Sequence, residues 1–324
     1  MPVITDSKYN PPFLLKSGQF QTVWPTLTRK VSGVKYSRER IDTPDGDFLD
    51  LDWSTQDSEQ LVILLHGLEG SSNTHYMRGM AKAFYDESWD VLAMNFRGCS
   101  GEMNRLPRSY HSGATEDLRT VLEHVQGRHH YEVIVPVGFS LGGNLTLKYL
   151  GESGRELPEQ VKAGVGISVP CDLADSSKQI SEPQNYLYEK RFLLRLKRKI
   201  RLKAGMFPED IDYDKVRRIK KLKEFDDLYT APIHGFEDAQ HYYAECSARR
   251  YLADIRCPTL ILSAANDPIL TEECYPFSEA EANTNITLEV PSYGGHVGFM
   301  SSGNSSRYWH EKRVTEYLKE NEIL

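Results

Sequence analysis

Five consecutive residues near the middle of the chain, Gly138-Phe139-Ser140-Leu141-Gly142, have the spacing of a nucleophilic serine on a tight turn. They lie between an apolar run, 133–138, and an amphipathic stretch that begins at Leu141, which predicts a strand-to-helix turn. Glycine is required two residues to either side of the serine because larger side chains would collide there. The alternative is a glycine-rich turn with an incidental serine. We predict that Ser140 is a nucleophile.

A serine hydroxyl becomes a strong nucleophile only when a neighbouring base accepts its proton. His296 is the candidate base because it follows the last predicted strand, 286–290, in the segment Tyr293-Gly294-Gly295-His296-Val297-Gly298. The flanking glycines allow this loop to fold over the nucleophile. The other nine histidines precede the penultimate strand or lie in the final helix.

Two aspartates could orient His296 and stabilise its charged form. Asp267 directly follows an apolar strand and precedes Pro268, and Asp172 follows the preceding strand. Both positions lie where the strands of an open α/β sheet end, which is where active sites of such sheets are found. Asp172 could instead cap the next helix, and Asp267 could instead be a turn residue before proline. We predict that Asp267 is the acid.

An oxyanion hole needs two backbone N–H groups that point at the developing negative charge. One is expected from Leu141, the residue after the nucleophile. The other is expected from Leu68 in the loop His66-Gly67-Leu68-Glu69-Gly70, where Gly67 allows a tight turn. We predict that His66 is structural and hydrogen-bonded beneath this loop.

Most of the chain alternates short apolar runs with helix-like stretches, which is typical of a mostly parallel sheet flanked by helices. Residues 34–42 and 47–53 differ, because they alternate polar and apolar residues around Pro44-Asp45-Gly46 and predict an antiparallel hairpin at a sheet edge. Further strands are predicted at 61–65, 91–95, 133–138, 161–169, 259–264 and 286–290. Residues 114–125 are predicted to be helical, with Glu116, Asp117 and Arg119 facing outward.

A long segment between two core strands, 172–250, predicts a helical cap inserted before the penultimate strand. The core would then comprise residues 1–171 and 251–324, with residues 1–32 as an N-terminal segment packed on it. Residues 186–203 carry an apolar stripe with helical spacing, and residues 186–223 contain fourteen Lys/Arg against five Asp/Glu. This cluster is expected to be either a solvated face or a surface for weak peripheral contact with anionic lipid.

Several motifs together resemble the YheT/Emb8-type α/β-hydrolases, and the resemblance spans nearly the whole chain. They are His66-Gly67-Leu68-Glu69-Gly70-Ser71-Ser72, Asn95-Phe96-Arg97-Gly98-Cys99-Ser100-Gly101-Glu102, Tyr110-His111-Ser112-Gly113, Gly138-Phe139-Ser140-Leu141-Gly142-Gly143-Asn144, Gly294-Gly295-His296, and the opening from Pro11-Pro12-Phe13 to Trp24-Pro25. The resemblance implies the α/β-hydrolase fold and a Ser-Asp-His carboxylester hydrolase. In eukaryotic relatives it implies phospholipase or acyltransferase activity.

The charge and composition exclude some other classes of protein. A formal net charge of −7 argues against nucleic acid as the main partner. The N-terminus lacks the pattern of a signal peptide and no apolar run is long enough for a membrane span, so a cytoplasmic location is expected. The five cysteines have no zinc-ligand spacing, and the expected mechanism requires no metal or organic cofactor.

These residues predict hydrolysis of a small acyl ester, with a short to medium acyl chain, through an acyl-enzyme. The same triad could instead transfer the acyl group to an alcohol. A non-catalytic binding scaffold is a third alternative, although such scaffolds usually lose a triad member.

Overall fold

The computed structural model describes residues 2–128, 130–301 and 307–324. Three parts of the predicted core ranges lie outside the described residues: Met1, His129 and residues 302–306. The strands are β1 Val3–Ile4, β2 Ser37–Asp42, β3 Phe48–Ser54, β4 Gln60–Leu65, β5 Asp90–Asn95, β6 Val133–Phe139, β7 Gly164–Ile167, β8 Thr259–Leu262 and β9 Ile286–Glu289. The helices are α1 Gly18–Thr28, α2 His75–Tyr85, α3 Thr115–Arg128, α4 Leu141–Ser153, α5 Leu173–Ile180, α6 Tyr186–Met206, α7 Tyr213–Val216, α8 Leu222–Phe225, α9 Ala231–Ile233, α10 Ala239–Cys246, α11 Phe277–Ala282 and α12 Trp309–Glu320.

The strands form one sheet in the order β1-β9-β8-β7-β6-β4-β5-β3-β2. The predicted hairpin is present at one edge, where β2 and β3 pair antiparallel, and β3 also pairs antiparallel with β5. The remaining pairs are parallel. The chain order of the strands reverses between β4 and β6, which is the type of position where open α/β sheets bind ligands.

Helices cover both faces of the sheet because the central strands are apolar on both sides. In β4, Leu61, Ile63 and Leu65 pack into the core on one face, together with α3 and α4. Val62 and Leu64 point the other way and pack with α2 and α12. This two-residue alternation is the ordinary consequence of strand geometry, and it confirms the predicted α/β architecture.

The helices α5 to α10 lie in the chain between β7 and β8, so the cap insertion precedes the penultimate strand as predicted. This part of the molecule has its own apolar cluster, which includes Leu196, Ile200 and Phe225 and closes against Ile269 after β8. The division of the chain at residues 172 and 250 stays a prediction. No helix among the described residues is both long and apolar enough to cross a membrane.

The predicted outward orientation of Asp117 on α3 is wrong, whereas Glu116 and Arg119 are exposed. The Asp117 side chain is buried and accepts two hydrogen bonds from the buried guanidinium of Arg97, at 2.9 Å from Nε and 2.6 Å from Nη2. A buried arginine requires carboxylate partners, and Asp47 supplies another at 3.2 Å. The helical pattern of α3 does not predict the burial of Asp117, because the arginine that requires this carboxylate lies outside the helix, at position 97.

Candidate active site

The predicted nucleophile Ser140 stands on a sharp turn between β6 and α4. Its backbone has φ 53° and ψ −117°, in a region that L residues rarely adopt. A side chain on Gly138 would begin 2.1 Å from the carbonyl oxygen of Gly142, and one on Gly142 would begin 2.5 Å from the carbonyl oxygen of Leu65. The flanking glycines are therefore required by the close approach of the backbone on either side of the serine.

A continuous chain of hydrogen bonds runs from Ser140 to Asp267. The Oγ atom of Ser140 lies 2.9 Å from Nε2 of His296, and Nδ1 of His296 lies 2.8 Å from Oδ2 of Asp267. Since an ionised carboxylate can only accept, Nδ1 carries the ring proton and donates a hydrogen bond to Asp267. This leaves Nε2 as an acceptor for the Ser140 hydroxyl.

The two candidate acids have different surroundings. The carboxylate of Asp267 is fully buried, and its Oδ1 atom accepts from the backbone N–H of Ile269 at 2.8 Å. Asp172 is the N-cap residue of α5 and accepts from the backbone N–H of Asp175 at 3.0 Å. Asp172 thus has the capping position considered from the sequence, and the structure brings Asp267, rather than Asp172, to His296.

The loop that carries His296 is held by α1, a helix that the sequence analysis missed. The backbone N–H of His296 donates to Oγ1 of Thr22 at 2.9 Å, and the N–H of Met300 donates to Oε1 of Gln21 at 2.8 Å. A side chain on Gly295 would begin 2.4 Å from the carbonyl oxygen of Gly18, so loop and helix pack with their backbones in contact. The N-terminal segment therefore positions the predicted base.

Two tyrosines fix the loop that contains the predicted oxyanion donor Leu68. The N–H of Gly67 donates to the Tyr76 hydroxyl at 3.1 Å, and the N–H of Glu69 donates to the Tyr110 hydroxyl at 2.7 Å. Leu68 lies between these two anchored residues. A side chain on Gly67 would begin 3.3 Å from Cβ of Ser140, which places the loop directly beside the nucleophile.

The second predicted donor, Leu141, is the first residue of α4. The first N–H groups of a helix have no acceptor within the helix and lie at the positive end of its dipole. His66 is buried beneath the loop, as predicted. Its Nε2 atom accepts from the N–H of Phe96 at 3.2 Å and its Nδ1 atom donates to the carbonyl of Gly67 at 2.7 Å. Burial lowers the pKa of His66 to about 3, so the ring is neutral at neutral pH.

Two of the fourteen basic residues in the predicted charged segment do not face solvent. Lys199 is buried and forms an ion pair with Glu69, with a distance of 2.6 Å between Nζ and Oε1. Lys203 is buried and donates to the backbone carbonyls of Pro107 and Arg108 at 3.1 and 2.8 Å. Both lysines thus tie the cap helix α6 to loops of the core, and Lys199 does so next to the predicted oxyanion donor.

A largely apolar cavity extends from Ser140 and His296 to beneath the cap. About 930 Å³ of space, including its open mouth, is free of atoms. Its apolar walls are formed by Leu173, Ile180, Phe192, Leu196, Ile200, Leu222, Phe225 and Ile269. Asp226 is a polar group in this cavity, and burial raises its pKa to about 6. In the described ranges, no group of three or more His, Cys, Asp or Glu side chains is arranged to hold a metal ion.

Comparison with known proteins identifies the family to which these features correspond. Residues 60–302 match the family model described as "alpha/beta hydrolase fold". The chain is 36% identical over 305 residues to "Putative esterase YheT" of Escherichia coli (strain K12), covering 92% of this chain and 89% of that protein. It is 32% identical to "Phospholipase ABHD3" of Bos taurus, covering 92% of this chain and 74% of that protein. It is 28% identical to "Embryogenesis-associated protein EMB8" of Picea glauca, covering 92% and 69%.

Solved structures share the fold at lower sequence identity. The esterase Pf2001 of Pyrococcus furiosus superposes with a TM-score of 0.62 and 19% identity, covering 90% of this chain and 95% of that chain. At this identity the likeness concerns the fold alone.

Proposed function

Because the chain belongs to the YheT/Emb8 type of the α/β-hydrolase family and is therefore an ester hydrolase, we propose that Ser140, His296 and Asp267 form its catalytic triad. The observation that carries the proposal is the pair of hydrogen bonds, 2.9 and 2.8 Å long, that connects the three side chains in the order required for proton transfer. The strained backbone of Ser140, at φ 53°, supports it as well.

In the first half of the reaction, Oγ of Ser140 attacks the ester carbonyl carbon while its proton passes to Nε2 of His296. The N–H groups of Leu68 and Leu141 stabilise the oxyanion, and each such donor contributes about 3 kcal/mol in comparable enzymes. The bond between the carbonyl carbon and the alcohol oxygen then breaks, and the alcohol leaves with the proton from His296. The acyl group remains on Ser140 as an ester.

In the second half, a water molecule replaces the alcohol. His296 removes its proton as the oxygen attacks the acyl carbonyl, and the same proton then returns to Oγ of Ser140 as the acid leaves. Asp267 keeps the imidazole in the required tautomer and stabilises the imidazolium in both halves.

The apolar cavity under the cap is proposed to hold the acyl chain. Burial of each methylene there contributes about 0.8 kcal/mol, so reactivity should rise with chain length until the chain meets the end of the cavity. Asp226 and Tyr243 also line this cavity, and they support a short or medium chain because a longer apolar chain would cover more of these polar groups.

The exposed basic residues of segment 186–223 are proposed to make weak contact with anionic lipid. Lys199 and Lys203 are already engaged inside the protein, so only the remaining basic residues contribute. The test is co-sedimentation with vesicles of increasing phosphatidylserine content, where binding should rise with that content. Equal binding to neutral and anionic vesicles would contradict the proposal.

The experiment for the enzymatic proposal is a series of p-nitrophenyl esters from acetate to palmitate, tested with the wild-type protein and Ser140→Ala. We expect short and medium chains to react faster than palmitate and the variant to lose its activity with all of them. A Ser140→Ala protein that is folded and retains wild-type rates would contradict the triad. Adding a second alcohol and measuring the exchanged ester separates acyl transfer from hydrolysis.

A further inference from the structure

A second groove, between α1, α2 and α6, also reaches Ser140 and His296. It shares Leu68, Ser140, Phe192, Ile269 and His296 with the apolar cavity, so the two spaces meet at the predicted triad. The walls of this groove differ from those of the cavity in their charge. Its described lining residues include no aspartate or glutamate and five cationic side chains, which are Arg29, Lys30, Arg78, Arg191 and Arg195.

Some of these cations already have partners within the protein. Arg29 forms an ion pair with Glu311 at 2.6 Å. Arg78 donates to the carbonyl oxygen of Val34 at 2.7 Å and to Oδ1 of Asn73 at 3.1 Å. These interactions stabilise the walls of the groove. They also use N–H groups of each guanidinium that a ligand would otherwise bind.

Arg191 and Arg195 are different, because no carboxylate of the described residues lies within ion-pair distance of either one. They are four residues apart on α6, so their side chains emerge from the same face about 6 Å apart. Partial burial and the positive charge of Arg195 lower the pKa of Arg191. Arg195 donates to the carbonyl oxygen of Glu69 at 3.2 Å, beside the predicted oxyanion donor. Two like charges thus line the groove that reaches Ser140, with no carboxylate partner among the described residues.

We infer that this groove binds the alcohol part of the substrate and that this part carries an anionic group, a phosphate or a carboxylate, held by Arg191 and Arg195. The inference rests on the proposed function, since it takes Ser140 as the nucleophile. The acyl chain lies in the apolar cavity and the anion in the cationic groove, so the scissile ester bond lies between them at Oγ of Ser140. The planar guanidinium groups can each donate two parallel hydrogen bonds to such an anion.

This arrangement determines the orientation in which the ester binds. After attack by Ser140, the bond to the alcohol oxygen breaks, His296 protonates that oxygen, and the anionic alcohol leaves through the open groove. The acyl group stays on the enzyme in the cavity and leaves after hydrolysis as a carboxylic acid. An ester in the opposite orientation would bring its anion into the cavity lined by Leu196 and Ile200, where Lys199 is already paired with Glu69 and does not compensate the loss of hydration.

The test uses two soluble esters with the same butyryl group, one on 4-hydroxybenzoate and one on its neutral methyl ester. We expect the wild-type protein to prefer the anionic ester by about tenfold or more in kcat/KM, as charge-assisted hydrogen bonds typically allow. The double variant Arg191→Gln/Arg195→Gln should bring the ratio of the two kcat/KM values close to one. The matched control is Arg198→Gln/Arg201→Gln on the same helix, which removes the same charge from exposed residues outside the groove. This control should keep the wild-type ratio.

A second arm distinguishes the possible sources of the anion. Octanoylglycerol phosphate and neutral octanoylglycerol are compared, each offered as a soluble monomer and in neutral vesicles. A preference of the same size for both forms means that a free phosphate ester and a lipid headgroup use one site. A preference that appears only on vesicles would overturn the inference, because it would reflect surface binding. A wild-type ratio of one, with activity that still depends on Ser140, would also overturn it and would leave the proposed triad intact. No turnover of either ester would contradict the proposed function itself.

Discussion

Replacing Asp267 by asparagine should preserve the shape of the site and reverse the polarity of one hydrogen bond. The structure determines which way the new amide will face. Oδ1 of Asp267 accepts from the N–H of Ile269, and Oδ2 accepts from Nδ1 of His296. An amide has one oxygen and one NH₂ group, and only the oxygen can satisfy the N–H of Ile269. The NH₂ group must therefore face His296.

The consequence is a change of tautomer at His296. An NH₂ group facing Nδ1 requires that atom to accept, so the ring proton moves to Nε2. Nε2 then donates toward Ser140 and can no longer take the proton of its hydroxyl. In a serine protease the equivalent change lowers kcat by about 10⁴, which corresponds to about 5 kcal/mol in the activation free energy. We expect a loss of this order in Asp267→Asn.

The matched control is Asp172→Asn. Asparagine caps helices about as well as aspartate, so α5 should remain capped and kcat should stay within about tenfold, or 1.4 kcal/mol, of the wild type. The assay is steady-state hydrolysis of p-nitrophenyl butyrate at neutral pH, with folding of each variant checked by circular dichroism. The reasoning is refuted if Asp172→Asn loses more kcat than Asp267→Asn.

Three further predictions concern stability, each measured by chemical denaturation. Gly138→Ala should destabilise the protein strongly, because the added methyl would lie 2.1 Å from a carbonyl oxygen, whereas Gly127→Ala on α3 meets no atom within 4 Å and should stabilise it by up to about 1 kcal/mol. Lys199→Met should cost about 3–5 kcal/mol by leaving the buried carboxylate of Glu69 without its partner, and adding Glu69→Gln should recover part of this; unchanged stability would contradict the buried ion pair. The pKa of Asp226 is raised from 3.8 to about 6, so this one carboxyl should subtract up to about 3 kcal/mol from the free energy of unfolding as the pH rises from 4 to 7. Asp226→Asn should remove this loss, and an identical pH dependence in both proteins would contradict it.

Apart from β1, the strands and the turn at Ser140 could be predicted from the sequence because their causes are local. A run of β-branched and apolar residues followed by Gly138 and Gly142 is specified within a few positions. The choice of Asp267 over Asp172 depended on a second local pattern, the N-cap of α5, and the structure shows Asp172 in that capping position. The catalytic role of Asp267 stays a prediction.

The features that were missed depend on contacts between residues distant in sequence. Lys199 and Lys203 continue a basic helical pattern and are buried because Glu69 and the carbonyls of residues 106–108 lie opposite them. The role of α1 in holding the His296 loop involves Thr22, which is 274 residues away. Periodicity along one helix carries no information about such partners, so the supporting groups of the site could not be inferred from it.

The most direct test of the account is to label the protein with a fluorophosphonate and to map the labelled residue by mass spectrometry. Fluorophosphonates react with serines activated by a neighbouring base, so the account predicts one label per chain, on the peptide that contains Ser140. It predicts no label in a folded Ser140→Ala variant. Labelling of that variant at the wild-type rate, or a label on a different residue of the wild-type protein, would contradict the assignment of Ser140 as the nucleophile.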